Sequence, residues 1–458
     1  MTVSFHRLGL CGAGLRCAGG LALLALLALA AGCHPPAEQA RAAPVEFAPL
    51  LMPVPRIAPQ VTVRPPPPPP PQPVPTIRPV LMLASLPGGP PDLFIHTSGD
   101  AERASDEPPV VPDFEILGQR VAAGTFARLT WAPTETFTGN SAPSAVLVAH
   151  GTEPGPTLCL TAAIHGDELN GIETVRRVLH DLEPERLAGT VVGVPIVNLQ
   201  GFHRNSRYLP DRRDLNRYFP GNPTGSAASR IAHSLFSQVI RHCSALVDLH
   251  TGSFHRTNLP QVRGDLNNEA VVKLTAGFGS TVILHSGGGE GTLRRAAVDA
   301  GIPAVTLEAG MPLQVQEAAV EHSVKAIYTL LDTFGMYNKR SLWGNPEPVY
   351  YQSRWVRADH GGILSGEVNL GRRVQPGDLL GTVTDPITNE RNVIVSPYQG
   401  RVIGMALDQF VMPGYATFHI GIEAEVADAT ELAPEDEDAG DHADEGGDEG
   451  FDGLMEGD

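Results

Sequence analysis

The segment TLCLTAAIHGDELNGIETVRRVLHDL, residues 157–182, combines an apolar run, a short polar turn and a helical pattern. The apolar run predicts a buried strand, and the apolar spacing after Glu168 predicts a helix that packs on it. In the turn, His165 and Glu168 are three residues apart and can face one point above the strand end. Alone, this pair fits either a helix start in which Glu168 favours the helix dipole, or half of a metal site.

Similar apolar runs alternate with helical patterns over residues 114–340. The strand-like runs are GTVVGVPIVN, CSALVDLHTG, STVILHS and IPAVTLEAG, and the helical patterns include GSAASRIAHSLFSQVIRHC and NEAVVKLTAGFG. Short apolar strands separated by helices predict an α/β fold with a mixed, mainly parallel sheet flanked by helices. Functional sites in such sheets gather at the carboxyl ends of the strands.

Two further predicted strands end in side chains that could act together with His165 and Glu168. VDLHTG brings His250 to the end of one strand, and VTLEAG brings Glu308 to the end of another. With His165 and Glu168, His250 completes a three-ligand set that leaves a position for water. Glu308 can take a proton from that water. Each motif alone has an ordinary structural explanation, so it is their combination that predicts a hydrolytic zinc site.

A cluster of arginines lies between the first two motifs, in NSRYLPDRRDLNRYFPG. Arg207 and Arg217, with Asn216, are candidate substrate groups because guanidinium forks bind carboxylates and stabilise oxyanions. A solvated loop explains the other arginines of this segment better. After the second motif, HTGSFHRTNLPQVRGDL predicts a loop over the pocket from which Arg256 or Arg263 could reach the substrate.

In this order, HGDE, DLNRYFPG, DLHTG and TLEAG resemble the motifs of the succinylglutamate desuccinylase/aspartoacylase family, a branch of the zinc carboxypeptidase-like hydrolases. The resemblance covers roughly residues 114–425. It implies one zinc ion per chain, held by His165, Glu168 and His250. It also implies that Glu308 is the general base and acid, that Arg207 stabilises the oxyanion, and that a substrate carboxylate is clamped by the pair Asn216 and Arg217.

These residues predict a zinc-dependent hydrolase that deacylates an N-acyl amino acid or a related small amide. One alternative is a zinc carboxypeptidase that acts on cell-wall peptides, with Arg217 holding the terminal carboxylate. A second alternative is a catalytically silent binding lipoprotein that keeps the fold as a scaffold.

Residues 341–425 have a different pattern, in which glycine, Pro-Gly and asparagine separate short alternating strands. This pattern predicts a small all-β barrel or sandwich domain. GRRVQPGDLLGTV resembles a lipoyl/biotinyl-type module, but the expected hairpin tip has no lysine, so no attached cofactor is expected. In the resembled family, such a domain packs over the catalytic cleft and limits it to small substrates.

The N-terminus predicts targeting to the cell envelope. In residues 1–32, basic residues precede LALLALLALAAGC, which ends in small residues before Cys33 and resembles the lipobox of a bacterial lipoprotein. The resemblance implies lipidation of Cys33 and anchoring on the periplasmic or extracellular face of a bacterial membrane. Ordinary signal cleavage and an uncleaved anchor are the alternatives. Residues 33–113, with RPPPPPPPQPVPTIRP, predict a disordered proline-rich linker.

The negative charge is concentrated in an acidic tail, residues 426–458, that we expect to be disordered. The net charge is −18, and fourteen acidic residues lie between Asp428 and the C-terminus, so the remainder is near neutral. No basic patch indicates nucleic-acid binding. In the folded part, Cys159 and Cys243 lie in apolar runs and predict two buried thiols on core strands rather than a disulfide.

Overall fold

A computed structural model of the chain describes residues 111–133, 135–137, 140–141, 143–338 and 349–422. The predicted signal peptide, Cys33, most of the proline-rich linker and the acidic tail lie outside these residues, as does the expected domain boundary after residue 340. Among the described helices, none has the length and apolar composition needed to cross a membrane.

The first part of the chain forms strands β1 (Phe114–Ile116), β2 (Gln119–Val121), β3 (Thr125–Trp131), β4 (Glu135–Phe137), β5 (Asn140–Ser141), β6 (Ser144–His150), β7 (Glu153–Ala162) and β8 (Ala188–Val194). The middle part forms β9 (Ala245–His250), β10 (Arg256–Gly264), β11 (Val282–His285) and β12 (Ala304–Gly310). The last part forms β13 (Val349–Tyr350), β14 (Ser353–Arg357), β15 (Gly362–Gly366), β16 (Arg373–Val374), β17 (Leu379–Thr384), β18 (Arg391–Val395), β19 (Gly400–Ala406), β20 (Phe410–Val411) and β21 (Ala416–Ile422).

The α-helices are α1 (Leu169–Asp181), α2 (Leu199–Phe202), α3 (Ala227–Gln238), α4 (Glu269–Thr275), α5 (Leu293–Asp299) and α6 (Glu317–Thr333). Short 3₁₀ turns cover Pro184–Arg186, Leu215–Arg217, Ile240–His242 and Ala276–Phe278.

The centre of the molecule is a large mixed sheet flanked by helices, as the alternation of strands and helices predicted. Its central strands β8, β7, β9 and β12 are parallel, whereas β6 pairs antiparallel with β8, and β10 pairs antiparallel with β12. Both β9 and β12 are buried over their whole length, which explains why their sequences are continuous apolar runs rather than alternating ones.

Each face of the sheet has its own apolar core, because successive side chains of a strand point to opposite faces. Leu158 and Leu160 of β7 pack in the core that contains α1 and α6. Cys159, between them, packs in the core that contains α3 and α5. Burying one such leucine contributes about 1.5–3 kcal/mol to folding, so these two layers hold the central strands, and therefore their carboxyl ends, in place.

Cys159 and Cys243 form a disulfide, and the prediction of two buried thiols was therefore wrong. Their Cα atoms are 5.7 Å apart, within the usual range for this bond. Cys159 lies on β7 as predicted, but Cys243 follows the 3₁₀ turn Ile240–His242 and precedes β9. The backbone N–H of Ser244 donates to the carbonyl of Thr157 at 2.8 Å, which brings this turn beside β7. The apolar runs indicated burial correctly, but a separation of 84 residues carried no information about pairing.

The C-terminal strands are antiparallel, but some of them continue the central sheet instead of closing a separate barrel. Strands β19, β21 and β14 extend the sheet from β10, and β13 pairs with β11. Strands β18, β17, β15 and β20 form a second sheet. Apolar side chains from both sheets pack together, among them Val356, Leu364, Leu380, Val402 and Phe418. The region is therefore a sandwich, and one of its sheets covers the edge strand β10.

Candidate active site

Three neighbouring parallel strands deliver the predicted site residues to one sheet edge. The turn after β7 carries His165, and Glu168 is the residue immediately before α1. His250 is the last residue of β9, and it lies in register with Glu308 of β12. The structure thus brings the four side chains to the ends of neighbouring strands, in one pocket.

Gly166 is needed in this turn because a side chain would not fit there. Its backbone angle is an ordinary one. A Cβ atom at Gly166 would lie 2.1 Å from the carbonyl carbon of Gly201 and from the backbone nitrogen of Phe202. Because those contacts are with backbone atoms, a side chain would displace α2 or the turn itself.

His165, Glu168 and His250 are grouped so that each offers a ligand atom to one common point. Nδ1 of His165 is 2.9 Å from Oε1 of Glu168, and Nδ1 of His250 is 3.0 Å from Oε2 of the same carboxylate. The two Nδ1 atoms are 3.2 Å apart. All three side chains are at least nine-tenths buried.

Two further carboxylates determine which imidazole nitrogen faces the centre. Nε2 of His165 is 3.1 Å from Asp214, and Nε2 of His250 is 2.8 Å from Asp248. The Thr161 hydroxyl donates to the other oxygen of Asp248 at 2.6 Å. A proton on each Nε2 satisfies these carboxylates, so the unprotonated Nδ1 atoms and the Glu168 oxygens direct lone pairs at one another. A divalent cation at that point suits this donor set, and such carboxylate–histidine pairs are the usual support of a metal site.

In this cluster, the opposite charges of neighbouring side chains shift each pKa against the effect of burial. Burial acts to raise the pKa of Glu168, but His165 and His250 outweigh it and lower that pKa. Burial likewise acts against the charge on Asp214, and Arg207 and His165 hold its pKa well below the ordinary value. For both histidines burial acts to lower the pKa, yet the neighbouring carboxylates raise it, in His250 strongly. A cluster of this kind favours positive charge at its centre.

Arg207, which the sequence predicted as an oxyanion group, lies beside the same cluster. Its Nε and Nη2 donate to one oxygen of Asp214 at 3.2 and 2.9 Å, and its Nη1 lies 3.4 Å from Glu168. Its guanidinium carbon is 5.1 Å from the centre of the Phe254 ring. The side chain is buried, so its positive charge is held in a fixed position beside the ligand cluster.

Glu308 lines the same pocket but has different side-chain partners. Its Oε2 accepts a hydrogen bond from Asn258 at 3.1 Å, and its Oε1 is 3.4 Å from Nη1 of Arg263. Arg263 lines the pocket from strand β10, so the loop predicted for this segment is wrong from Arg256 onward, and the partner of Arg263 there is Glu308.

Asn216 and Arg217 also line the pocket. Both lie in the 3₁₀ turn Leu215–Arg217, and the Asn216 side-chain oxygen accepts from the backbone N–H of Leu293 at the start of α5. Asn216 therefore links the arginine-rich segment to the glycine-rich segment before α5.

Asp167 lies outside the ligand set. Its carbonyl accepts from Leu313, and its buried Oδ1 has no hydrogen-bond partner among the described residues. Burial, with Glu168 next, raises its pKa.

The pocket around these groups has a volume of about 120 Å³ and a strongly basic lining. Its arginines are Arg207, Arg217, Arg256, Arg263 and Arg294. The glycine-rich segment LHSGGGEGTLRRAA contributes Ser286 and Thr292, and Trp355 of β14 contributes from the C-terminal region.

Several of these residues were not identified from the sequence. Asp248 carried a signal, because it lies two residues before His250 and so on the same face of β9. Asp214 stands beside the recognised motif DLNR. Asn258, Arg294 and Trp355 carried no comparable signal, because tertiary packing and no local pattern brings them to the pocket.

Comparison with known proteins agrees with the motifs. Residues 154–334 match the model of the succinylglutamate desuccinylase/aspartoacylase catalytic domain. The N-alpha-acetyl-L-2,4-diaminobutyric acid deacetylase of Halomonas elongata is 27% identical over 244 residues, which are 50% of this chain and 71% of that protein.

Solved structures show the same fold at lower sequence identity. The ectoine utilization protein EutE (DoeB) from Ruegeria pomeroyi, in its product-bound structure, has a TM-score of 0.60 at 20% identity, over 70% of this chain and 100% of that one. The succinylglutamate desuccinylase/aspartoacylase from Rhodobacter sphaeroides has a TM-score of 0.58 at 22% identity, over 65% and 96%. The motifs and the family model thus agree: residues 154–334 are similar to the catalytic domain of the succinylglutamate desuccinylase/aspartoacylase family.

Proposed function

We propose that this protein is a zinc-dependent amidohydrolase that deacylates an N-acyl amino acid or a related small amide. The observation that carries the proposal is the convergence, in one pocket, of His165, Glu168 and His250 with a separate carboxylate, Glu308, and a buried guanidinium, Arg207. The relationship to a deacetylase of an N-acetylated amino acid supports the substrate class.

The three-ligand cluster would hold the ion through Nδ1 of each histidine and the Glu168 carboxylate. Two imidazoles and one carboxylate are typical of catalytic zinc sites. When bound, zinc supplies Lewis acidity that activates water and polarises an acyl carbonyl. Asp214 and Asp248 would keep both Nδ1 atoms unprotonated and aimed at the ion.

The remaining steps fall to side chains of the chain itself. Glu308, oriented by Asn258, would accept a proton from water and deliver it to the leaving nitrogen. Arg207 would stabilise the negative charge that develops on the acyl oxygen, because its guanidinium is already fixed beside the cluster. Arg217 and Arg263, with Asn216 beside them, would bind the substrate carboxylate.

The cover over the pocket favours a small amide over a peptide. Trp355 of β14 forms part of the lining, so the C-terminal region would limit how far a peptide could extend. A zinc carboxypeptidase that acts on cell-wall peptides stays the alternative, because Arg217 would hold a terminal carboxylate equally well.

The decisive experiment uses the purified full chain. Bound metal is quantified by mass spectrometry, and hydrolysis is followed with a panel of N-acetyl amino acids and short peptides. The proposal expects about one zinc per chain and turnover confined to the N-acyl amino acids. Turnover of the peptides alone would support the carboxypeptidase, and metal binding without any turnover would support a silent binding protein.

We also propose that Cys33 is lipidated and anchors the protein at the cell envelope, on the basis of the sequence before it. Expression in a bacterial host, followed by fractionation and metabolic labelling with palmitate, tests this. A Cys33→Ser variant should lose both the label and the membrane association, and an unlabelled wild-type protein would contradict the proposal.

A further inference from the structure

A tight turn, residues 253–256, connects β9 to β10 beside the pocket. The backbone N–H of Arg256 donates to the carbonyl of Ser253 at 3.1 Å, which closes the turn. Its two central residues, Phe254 and His255, have φ angles of 49° and 58°. Such turns usually have glycine or asparagine at these positions, because other L residues are strained there. Phenylalanine and histidine keep this backbone only where the surrounding structure holds it.

Three hydrogen bonds from the C-terminal region hold the turn. The Tyr415 hydroxyl donates to the carbonyl of Phe254 at 2.9 Å. The carbonyl of His255 accepts from the backbone N–H of Leu407 at 2.8 Å and from Nε2 of Gln409 at 2.9 Å. The three donors lie in the connections that join β19, β20 and β21. The strained backbone beside the pocket is therefore fixed by the C-terminal region.

The side chain that this turn presents packs on the buried arginine of the active site. The centre of the Phe254 ring is 5.1 Å from the guanidinium carbon of Arg207 and 6.4 Å from the centre of the Tyr208 ring. Phe254 is half-buried and is not among the described residues that line the pocket, whereas Arg207 is. An aromatic ring attracts a guanidinium group, and more strongly where water is excluded.

The ring restrains Arg207 in a way that its carboxylate partner does not. Nε and Nη2 of Arg207 donate to the same oxygen of Asp214, at 3.2 and 2.9 Å, and the contact of Nη1 with Glu168 is longer, at 3.4 Å. Two bonds to a single oxygen leave the guanidinium plane free to tilt, unlike a fork on two oxygens. The Phe254 ring limits this tilt, so the positive charge keeps one position.

We propose that Phe254 is a positioning residue, which holds Arg207 where negative charge develops on the acyl oxygen. The inference rests on the proposed function, in which Arg207 stabilises that charge. Tyr415 and Gln409 act on Arg207 through the carbonyls of the turn and the Phe254 ring. The C-terminal region thereby organises the catalytic groups in addition to covering the pocket.

The first test is kinetic and uses the full chain with N-acetyl amino acids. Phe254→Leu removes the ring and keeps an apolar side chain. We expect kcat to fall by about 5–30-fold with KM and zinc content unchanged, because the contact matters only once the oxygen carries charge. Phe254→Tyr keeps an aromatic face and should recover most of the rate. Phe126→Leu is the matched control, since Phe126 is an exposed aromatic residue that contacts His180 and lies outside the pocket lining.

A double-mutant cycle shows whether the effect passes through Arg207. In the Arg207→Gln background, Phe254→Leu should lower kcat by less than about twofold. Losses that multiply fully, or a Phe254→Leu variant that changes only KM, would overturn the inference.

A variant of the C-terminal region tests the other half of the inference. Tyr415→Phe removes one hydrogen bond to the turn and keeps the ring beside Arg256, so kcat should fall by up to about tenfold. Tyr328→Phe is its control, because it removes a hydroxyl that donates to Asp181, away from the pocket lining, and should leave kcat unchanged. An equal kcat in Tyr415→Phe and wild type would contradict control by the C-terminal region.

A last measurement does not depend on turnover. In the full chain with isotopically labelled arginine, the Nε–H resonance of Arg207 is the one that Arg207→Gln lacks. It should shift and become more mobile in Phe254→Leu and stay unchanged in Phe126→Leu. If no amide is hydrolysed but this change is seen, the proposed function fails and the positioning of Arg207 by Phe254 stands. If amides are hydrolysed and kcat is unchanged in Phe254→Leu, the inference fails and the function stands.

Discussion

The two ends of the cleft differ in how their charges are compensated. At the ligand end, every histidine faces a carboxylate and Arg207 contacts both Asp214 and Glu168. At the other end, Arg256 lies over the rings of Trp355 and Tyr415, at 5.3 and 4.6 Å, and donates to the carbonyl of Ala416. The first end is therefore organised to receive a cation, whereas at the second end aromatic rings and a backbone carbonyl hold an arginine in place.

Glu308 is the proposed general base, so its replacement should have the largest effect. Glu308→Gln keeps the shape and the hydrogen bond from Asn258 but removes the base. We expect kcat/KM to fall by about 10²–10⁴ while the zinc content is unchanged, because the three ligands are intact. Steady-state kinetics and metal analysis on the same preparation check this.

Two further variants serve as controls, one expected to keep full activity and one expected to lose the metal. Glu290→Gln removes an exposed glutamate from the glycine-rich segment beside the pocket and should leave the rate unchanged. His165→Ala should lose the metal as well as the activity. Full activity of Glu308→Gln would contradict the assignment of the base.

The disulfide joins β7 to the segment before β9, and neither cysteine lines the pocket, so removing it should lower stability without changing selectivity. Closing a loop of this length stabilises a fold by about 2–5 kcal/mol. The double variant Cys159→Ala/Cys243→Ala should lose about that much free energy of unfolding in urea denaturation. A reductant should destabilise the wild type and leave the variant unaffected. A change in the ratio of kcat/KM for anionic and neutral substrates would show instead that the bond shapes the cleft.

The same contrast separates what the sequence could predict from what it could not. The ligand end follows from local patterns, because His165, Glu168 and His250 each end a recognisable apolar run, and parallel neighbouring strands bring those ends together. Asp248 could have been predicted in the same way, since it shares a face of β9 with His250.

The arginine end depends on tertiary pairing that no local pattern encodes. Trp355 reaches the pocket only because β19 pairs with β10, which joins the C-terminal strands to the central sheet. The alternating strands of that region indicated an all-β structure, but they did not indicate which edge they would extend. The disulfide was missed for a similar reason, because burial of two cysteines does not reveal whether they are adjacent.

Replacing Asp248, which contacts the proposed ligand His250, should have a smaller effect on activity than replacing the base Glu308. Asp248→Asn keeps an acceptor for Nε2 of His250 but removes the charge that favours its tautomer. We expect zinc affinity to fall by about 10–100-fold, measured by competition with a chelator. Asp211→Asn is the control, because Asp211 is exposed and pairs with Arg213. Unchanged zinc affinity in Asp248→Asn would mean that the charge of this carboxylate does not contribute to metal binding.

The smallest effect should come from Thr161, which contacts Asp248 and not the histidine itself. Thr161→Val removes the hydroxyl that donates to Asp248 and leaves one carboxylate oxygen without that donor. Because a single hydrogen bond contributes about 0.5–1.5 kcal/mol, zinc affinity should fall by about 2–13-fold, and Thr161→Ser should restore it. In the Asp248→Asn background the same substitution should add little, because the two residues act as one unit. Additive losses in this double-mutant cycle would show that Thr161 acts on β7 itself and not through the histidine.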